Sequence, residues 1–303
     1  MLSPMKKIIT VIAIFFFSFS ALLAKNNHNY QEGDIVENSL EFAKGKYKIP
    51  LPDGKWEIGV LDIFKTKTNR TKIYQLGLFQ FEKKYIYKNY LKVAVSARSP
   101  TQWKAPKFCK RKNVYFNRAY TKGSAYNCLM VNHWRISFSS SKIKGFNLKV
   151  RDFIVKRNII TPGTAIMSQH QYSSKRQKNR LFDVQWFTNP ELSGLERDDS
   201  GWNESTYQKI KVIGHPKKKQ FLDERIKITA AYQKRFEEGI GVLDEQKLNL
   251  SDILIQTKEI KKIEKKQTDS KSVVDQLKEL SELQKSGVIS KEEFEKAKAK
   301  LLK

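Results

Sequence analysis

The segment Tyr87-Lys88-Asn89-Tyr90-Leu91-Lys92-Val93-Ala94-Val95-Ser96 sets Tyr87, Leu91, Val93 and Val95 at alternate positions. Aromatic and β-branched residues at period two describe a strand with one buried face. A second run upstream carries Leu76, Leu78 and Phe81. The charged break Glu82-Lys83-Lys84 between the two predicts a hairpin tip. Leu51-Pro52-Asp53-Gly54 forms a turn expected to launch the first strand. Residues 128–138, 164–172 and 181–187 read as further strands, and a polar tip at 173–180 separates the last two. Residues 146–158 read as a helix with Val150, Phe153 and Ile154 on one stripe. The stretch 189–219 is polar and irregular. A long helix is then expected from Pro216 to about Gly239, with Phe221, Ile228, Tyr232 and Phe236 on its apolar stripe and Ala231 widening it. Strands with flanking helices, without regular βαβ alternation, predict an α+β fold built on an antiparallel sheet.

The N-terminus carries a different kind of information. Lys6 and Lys7 precede an apolar run from Ile8 to Ala24, and Lys25 follows. A positive start, an apolar centre and a small final residue describe a secretory signal peptide over 1–24. The expected location is periplasmic or secreted. The alternative is an uncleaved anchor in the inner membrane, because the run is long for a signal and short for a span. The body is then 25–243, and the Lys-, Glu- and Gln-rich stretch 244–272 reads as a linker.

An apolar fraction of 40% and an aromatic fraction of 12% are enough for a true core. The net charge of +27 invites a reading as a binder of anionic lipid or polymer. Lysine outnumbers arginine about four to one, however, whereas phosphate and base recognition favour arginine's planar fork. AT-rich codon usage produces the same bias. Specific nucleic-acid binding is therefore not expected, and weak contact with an anionic membrane or polymer stays open.

The last 31 residues, 273–303, predict a helical hairpin. Val273, Leu277, Leu280 and Leu283 form one stripe, and Gly287 supplies the residue that ends the first helix. Ser290 and Glu293 form a capping box, with Ile289 and Phe294 as the hydrophobic staple around it. Ala297 and Leu301 continue the second stripe. Two helices this short cannot bury their own apolar face, so a partner is required. The segment VVDQLKELSELQKSGVISKEEFEKAKAKLL resembles the SHOCT domain, through its Leu-x-x-Leu first helix, Gly-Val-Ile-Ser turn, Glu-Glu-Phe helix start and terminal Lys-x-Lys-Leu-Leu. That resemblance implies a bacterial protein and an association role, with no catalysis. The body, around Phe108-Cys109-Lys110-Arg111 and Val131-Asn132-His133-Trp134-Arg135, resembles a group of bacterial envelope proteins without an assigned activity.

Cys109 and Cys128 are the chain's two cysteines. In an exported protein they are most simply a disulfide, closing a loop rich in Tyr, Asn and Lys. Zinc held by Cys109, Cys128 and His133 lacks paired spacing and a fourth ligand. A Cys–His nucleophilic pair, with His133 or His170, needs a free thiolate. The enzymatic alternative is an envelope hydrolase using His133, His170 and Asp183, the last two placed on strands that could pair across the polar tip. Convergence of the three in a cleft would favour it, and separation on opposite sheet faces would remove it. The five tryptophans, Trp56, Trp103, Trp134, Trp186 and Trp202, are expected in the core rather than in a ligand groove. The basic tip Lys175-Arg176-Gln177-Lys178-Asn179-Arg180 is expected as a solvated projection. No serine elbow, phosphate-cradling loop or dinucleotide fingerprint is present. The expectation is a non-catalytic envelope protein without cofactor or metal, associating with itself or a partner through the hairpin.

Overall fold

The structure, a computed structural model, describes residues 30–83, 86–137, 143–253, 273–285 and 290–301. The expected signal peptide lies outside these residues, as does the part of the expected linker from 254 to 272. In chain order the strands are β1 (Ile35–Val36), β2 (Ser39–Phe42), β3 (Tyr47–Pro50), β4 (Trp56–Lys65), β5 (Lys72–Phe81), β6 (Tyr87–Ser96), β7 (Phe116–Lys122), β8 (Ala125–Arg135), β9 (Thr164–Ser174) and β10 (Arg180–Thr188). The helices are α1 (Phe146–Lys156), α2 (Pro216–Ile240), α3 (Val273–Lys285) and α4 (Lys291–Leu301). Among the described residues, eight strands form one antiparallel sheet in the order β1-β4-β5-β6-β10-β9-β8-β7, and β2 and β3 pair separately. The fold is α+β.

Strand β6 is central, paired with β5 on one side and β10 on the other. Its period-two pattern holds for Leu91, Val93 and Val95, which point to one face and join Leu76, Leu78, Phe182, Val184 and Trp186 there. The register shift between Gln80 and Phe81, however, turns Tyr87 to the opposite face, beside Phe79 and Tyr90. The β2–β3 hairpin and α2 cover this face, through Leu40 and Ile49 and through Tyr232, Phe236 and Ile240. Helix α1 covers part of the opposite face with Phe146, Val150 and Ile154, against Phe79, Tyr90 and Phe187. Two glycines set the closeness of these layers. Gly59 lies at the irregularity between Ile58 and Val60, and a Cβ there would come within 2.5 Å of the Phe153 ring. At Gly239 a Cβ would lie 2.2 Å from the Lys48 carbonyl oxygen, so α2 meets the backbone of β3 without a side chain between them.

Four more expectations need correction. The chain enters the fold before the Leu51–Gly54 turn, at β1, β2 and β3, whose brevity leaves little periodicity to read. The loop between the cysteines contains β7, a polar edge strand paired with β8. Asp244–Gln246 form a 3-10 turn, and Leu248, Leu250 and Ile253 pack with Leu129 and Ala230, so residues 244–253 adhere to the body. The basic tip is not a free projection. Gln177 is buried, and its amide donates to the Gly241 carbonyl at 2.8 Å, folding the β9–β10 turn over the end of α2.

Candidate functional site

Helix α2 lies on the sheet by an unusual face. Arg225, Thr229, Gln233 and Glu237, four residues apart each time, are all buried, beside Leu222, Tyr232, Phe236 and Ile240. The expected stripe is therefore rotated: Ile228 is 46% exposed and Ala231 faces solvent. Polar side chains can be buried like this only where hydrogen bonds replace water. Most of the row has them. Gln233 Oε1 accepts from His170 Nδ1 at 2.6 Å. Its amide nitrogen donates to Asn127 Oδ1 at 3.0 Å and to Glu237 Oε1 at 2.9 Å. Glu237 Oε1 also accepts from Asn127 Nδ2 at 2.7 Å and from the Leu248 backbone N–H at 3.0 Å. Burial raises the pKa of Glu237, and these donors pull it back. The row thus clamps β8, β9, α2 and the 244–253 segment together.

His170 sits at the centre of this clamp, fully buried and edge-on to the Tyr232 ring. Because Gln233 presents its oxygen, the His170 proton lies on Nδ1. Burial holds the imidazole neutral, with its pKa pushed down to about 4. An imidazole walled off in this way carries no proton to a bound substrate.

His133 and Asp183 are elsewhere. His133 pairs in register with Ile166, bonds through Nε2 to the Trp202 carbonyl at 3.0 Å and stacks on the Trp202 ring. Burial lowers its pKa. His170 is opposite Val184, whereas Asp183 is opposite Gln171. Adjacent strand positions point to opposite faces, so Asp183 lies across the sheet from His170. There Asp183 accepts from Gln169 at 2.8 Å and Gln185 at 3.0 Å, and burial raises its pKa. The three candidates for acid–base work do not converge.

Cys109 and Cys128 are joined in a disulfide with Cα atoms 5.6 Å apart. It links the 3-10 turn Lys107–Lys110 to β8, in a small cluster with Tyr126 and the half-buried Trp103 and Leu181. Trp56 and Trp186 are core residues, as expected, but Trp134 is 50% exposed. Sequence reasoning missed one organising residue, Asp198. It accepts from the Ser200 N–H and hydroxyl, the Ser205 hydroxyl, and the Thr206 N–H and hydroxyl, which fasten the irregular 189–219 stretch. Burial would raise its pKa, but these bonds outweigh it and hold the carboxyl well below the usual range. The clustering of Ser200, Ser205 and Thr206 around an aspartate was the available signal.

In the C-terminal hairpin α3 and α4 pack against each other. The capping box is present as expected: Glu293 Oε2 accepts from the Ser290 N–H at 2.8 Å and hydroxyl at 2.9 Å, and the Glu293 N–H donates to Ser290 Oγ at 3.2 Å. Leu277, Leu280, Phe294 and Ala297 are each only half-buried. Gly287 and Ile289 lie outside the described residues, as do the side chains of Val273, Leu283 and Leu301. Among the described residues no group of His, Cys, Asp and Glu is placed to hold a metal ion, and no helix is long and apolar enough to cross a membrane.

Comparison with known proteins bears on the hairpin and not on the body. No curated protein and no solved structure matches the chain, and the body's resemblance to an envelope group gains no support. Residues 275–302 match the family model SHOCT, the short C-terminal domain, so the chain ends in a SHOCT domain that reads as a C-terminal interaction module.

Proposed function

We propose that this chain is an exported bacterial cell-envelope protein with a non-catalytic role, in which the SHOCT hairpin joins copies of the chain and the body presents a recognition surface. One observation carries the reading. The hairpin's apolar residues Leu277, Leu280 and Phe294 stay partly exposed although its two helices are packed together. Apolar area left in water at this density favours association, by about 25 cal/mol for each Å² covered. A second copy offers the same face and satisfies it symmetrically.

Export is supported by the composition of residues 1–24 and by the Cys109–Cys128 disulfide, since such bonds persist in oxidising compartments. Sequencing the N-terminus of the protein recovered from periplasm tests this. A start at Lys25 fits the signal-peptide reading, and a start at Met1 in the membrane fraction fits the anchor. A non-catalytic body is supported by the separation of His133, His170 and Asp183. The experiment that tests association is the mass in solution with and without residues 273–303. Loss of an oligomer on truncation is the expected result.

A further inference from the structure

The hydrogen-bonded row on α2 has a break at its N-terminal end. Arg225 is 6% exposed, and among the described residues it joins none of the ion pairs. Its Nε and Nη2 are buried without a hydrogen-bond partner. These two nitrogens form one edge of the guanidinium, the fork that grips a carboxylate with two parallel bonds. The guanidinium carbon lies over the Trp186 ring, 4.2 Å from its centroid. Burial lowers the Arg225 pKa to about 10, which leaves it charged at neutral pH. A buried, unpaired guanidinium is costly to maintain by several kcal/mol.

Two hydroxyls near Arg225 are left without partners as well. Arg225 and Thr188 line a common cleft of about 610 Å³. The Thr188 hydroxyl is also buried and unpartnered. So is that of Ser168, which stands opposite Trp186 in the β9–β10 register and points to the same face. The cleft walls include Leu195, Phe221 and Ile228. Lys217 and Glu224 line it too, and their opposite charges leave Arg225 as the excess cation. Its volume falls in the range of small-molecule sites, roughly 300–1,000 Å³.

We infer that this cleft binds a small organic carboxylate, its head group held by the Arg225 fork and the Thr188 hydroxyl and its apolar body lying against Leu195, Phe221 and Ile228. The site stands apart from the hairpin and gives the body a ligand of its own. The test is titration calorimetry on the full chain with hexanoate, set against hexanol and inorganic phosphate. Hexanol carries the tail without the charge, and phosphate the charge without the tail. Hexanoate is expected to bind with a Kd of about 1 mM or tighter. Hexanol and phosphate are expected to bind at least roughly tenfold more weakly. Arg225→Gln is expected to abolish hexanoate binding. Ile228→Glu places a negative charge at an exposed wall position and is expected to do the same while leaving the thermal midpoint unchanged, so it decides the question should Arg225→Gln not fold. The proposal is overturned if hexanoate shows no saturation up to about 10 mM. It is equally overturned if hexanol or phosphate binds as tightly, or if folded Ile228→Glu keeps the wild-type affinity.

Discussion

Replacing Glu237 with leucine removes the acceptor on which the buried clamp depends while nearly keeping its volume. One oxygen, Oε1, takes hydrogen bonds from Asn127, Gln233 and the Leu248 N–H. After the change Asn127 still reaches the Gln246 carbonyl, and Gln233 still reaches Asn127 Oδ1. The Leu248 N–H, at a half-buried position, loses its bond. Two weakened bonds cost about 1 kcal/mol each, and an orphaned donor about 1–3 kcal/mol. Release of a carboxylate that burial disfavours returns part of this, since Glu237 has a raised pKa. The net loss is about 3 kcal/mol, which lowers Tm by roughly 6–12 °C in a body of this size. Scanning calorimetry on the full chain at neutral pH measures it. Because Leu248 is tethered by this carboxylate, trypsin cleavage at Lys247 should accelerate in the same variant. Glu237→Gln retains Oε1 as acceptor and is expected to lose less than about 1 kcal/mol. The clamp reading fails if the leucine variant melts with the wild type and Lys247 is no more sensitive, or if glutamine is as damaging as leucine.

Three further outcomes follow from particular contacts. Cys109→Ser opens a loop with a sequence separation of 19 and is expected to cost about 3 kcal/mol, read as an earlier denaturant midpoint with a somewhat steeper slope, because the released unfolded chain exposes more surface; a midpoint equal to the wild type would show that the disulfide contributes nothing. Gly239→Ala drives a Cβ into the Lys48 carbonyl and should destabilise by about 1–3 kcal/mol despite alanine's better helix propensity, whereas stabilisation would mean that α2 and β3 are not in contact. His170, neutral with a folded pKa near about 4 against the ordinary 6.5, gives a stability term present in full above pH 6.5. As pH falls from 6.5 to 4 the unfolded chain takes up the proton first, so up to about 3 kcal/mol is lost over that window. Asp183 and Glu237 have raised pKa values and act in the opposite direction. The diagnostic is therefore the difference in slope between wild type and His170→Gln, and equal slopes would count against a buried neutral histidine.

The central strands of the sheet and both body helices were legible because period-two runs such as residues 91–95 and the long amphipathic stretch after Pro216 carry strong patterns. The orientation of α2 was not. Arg225, Thr229, Gln233 and Glu237 are polar and were not part of the expected stripe, and the tertiary partners Asn127, His170 and Leu248 are what make Gln233 and Glu237 interior residues. The same reason hid the docking of Asp244–Ile253 and of Gln177, since composition reports polarity and not the partner that satisfies it. The His170–Asp183 pairing failed on register, because a shift of one position moves a side chain to the other face. The capping box at Ser290 and Glu293 was readable in full, being a local motif closed within four residues.

Association through the hairpin is tested most directly by multi-angle light scattering on two forms of the protein at equal concentration, one running from residue 25 to 303 and one ending at residue 272. The longer form is expected to run as a dimer or larger species and the shorter as a folded monomer. A monomer mass for both forms, or an oligomer that survives removal of 273–303, would contradict it.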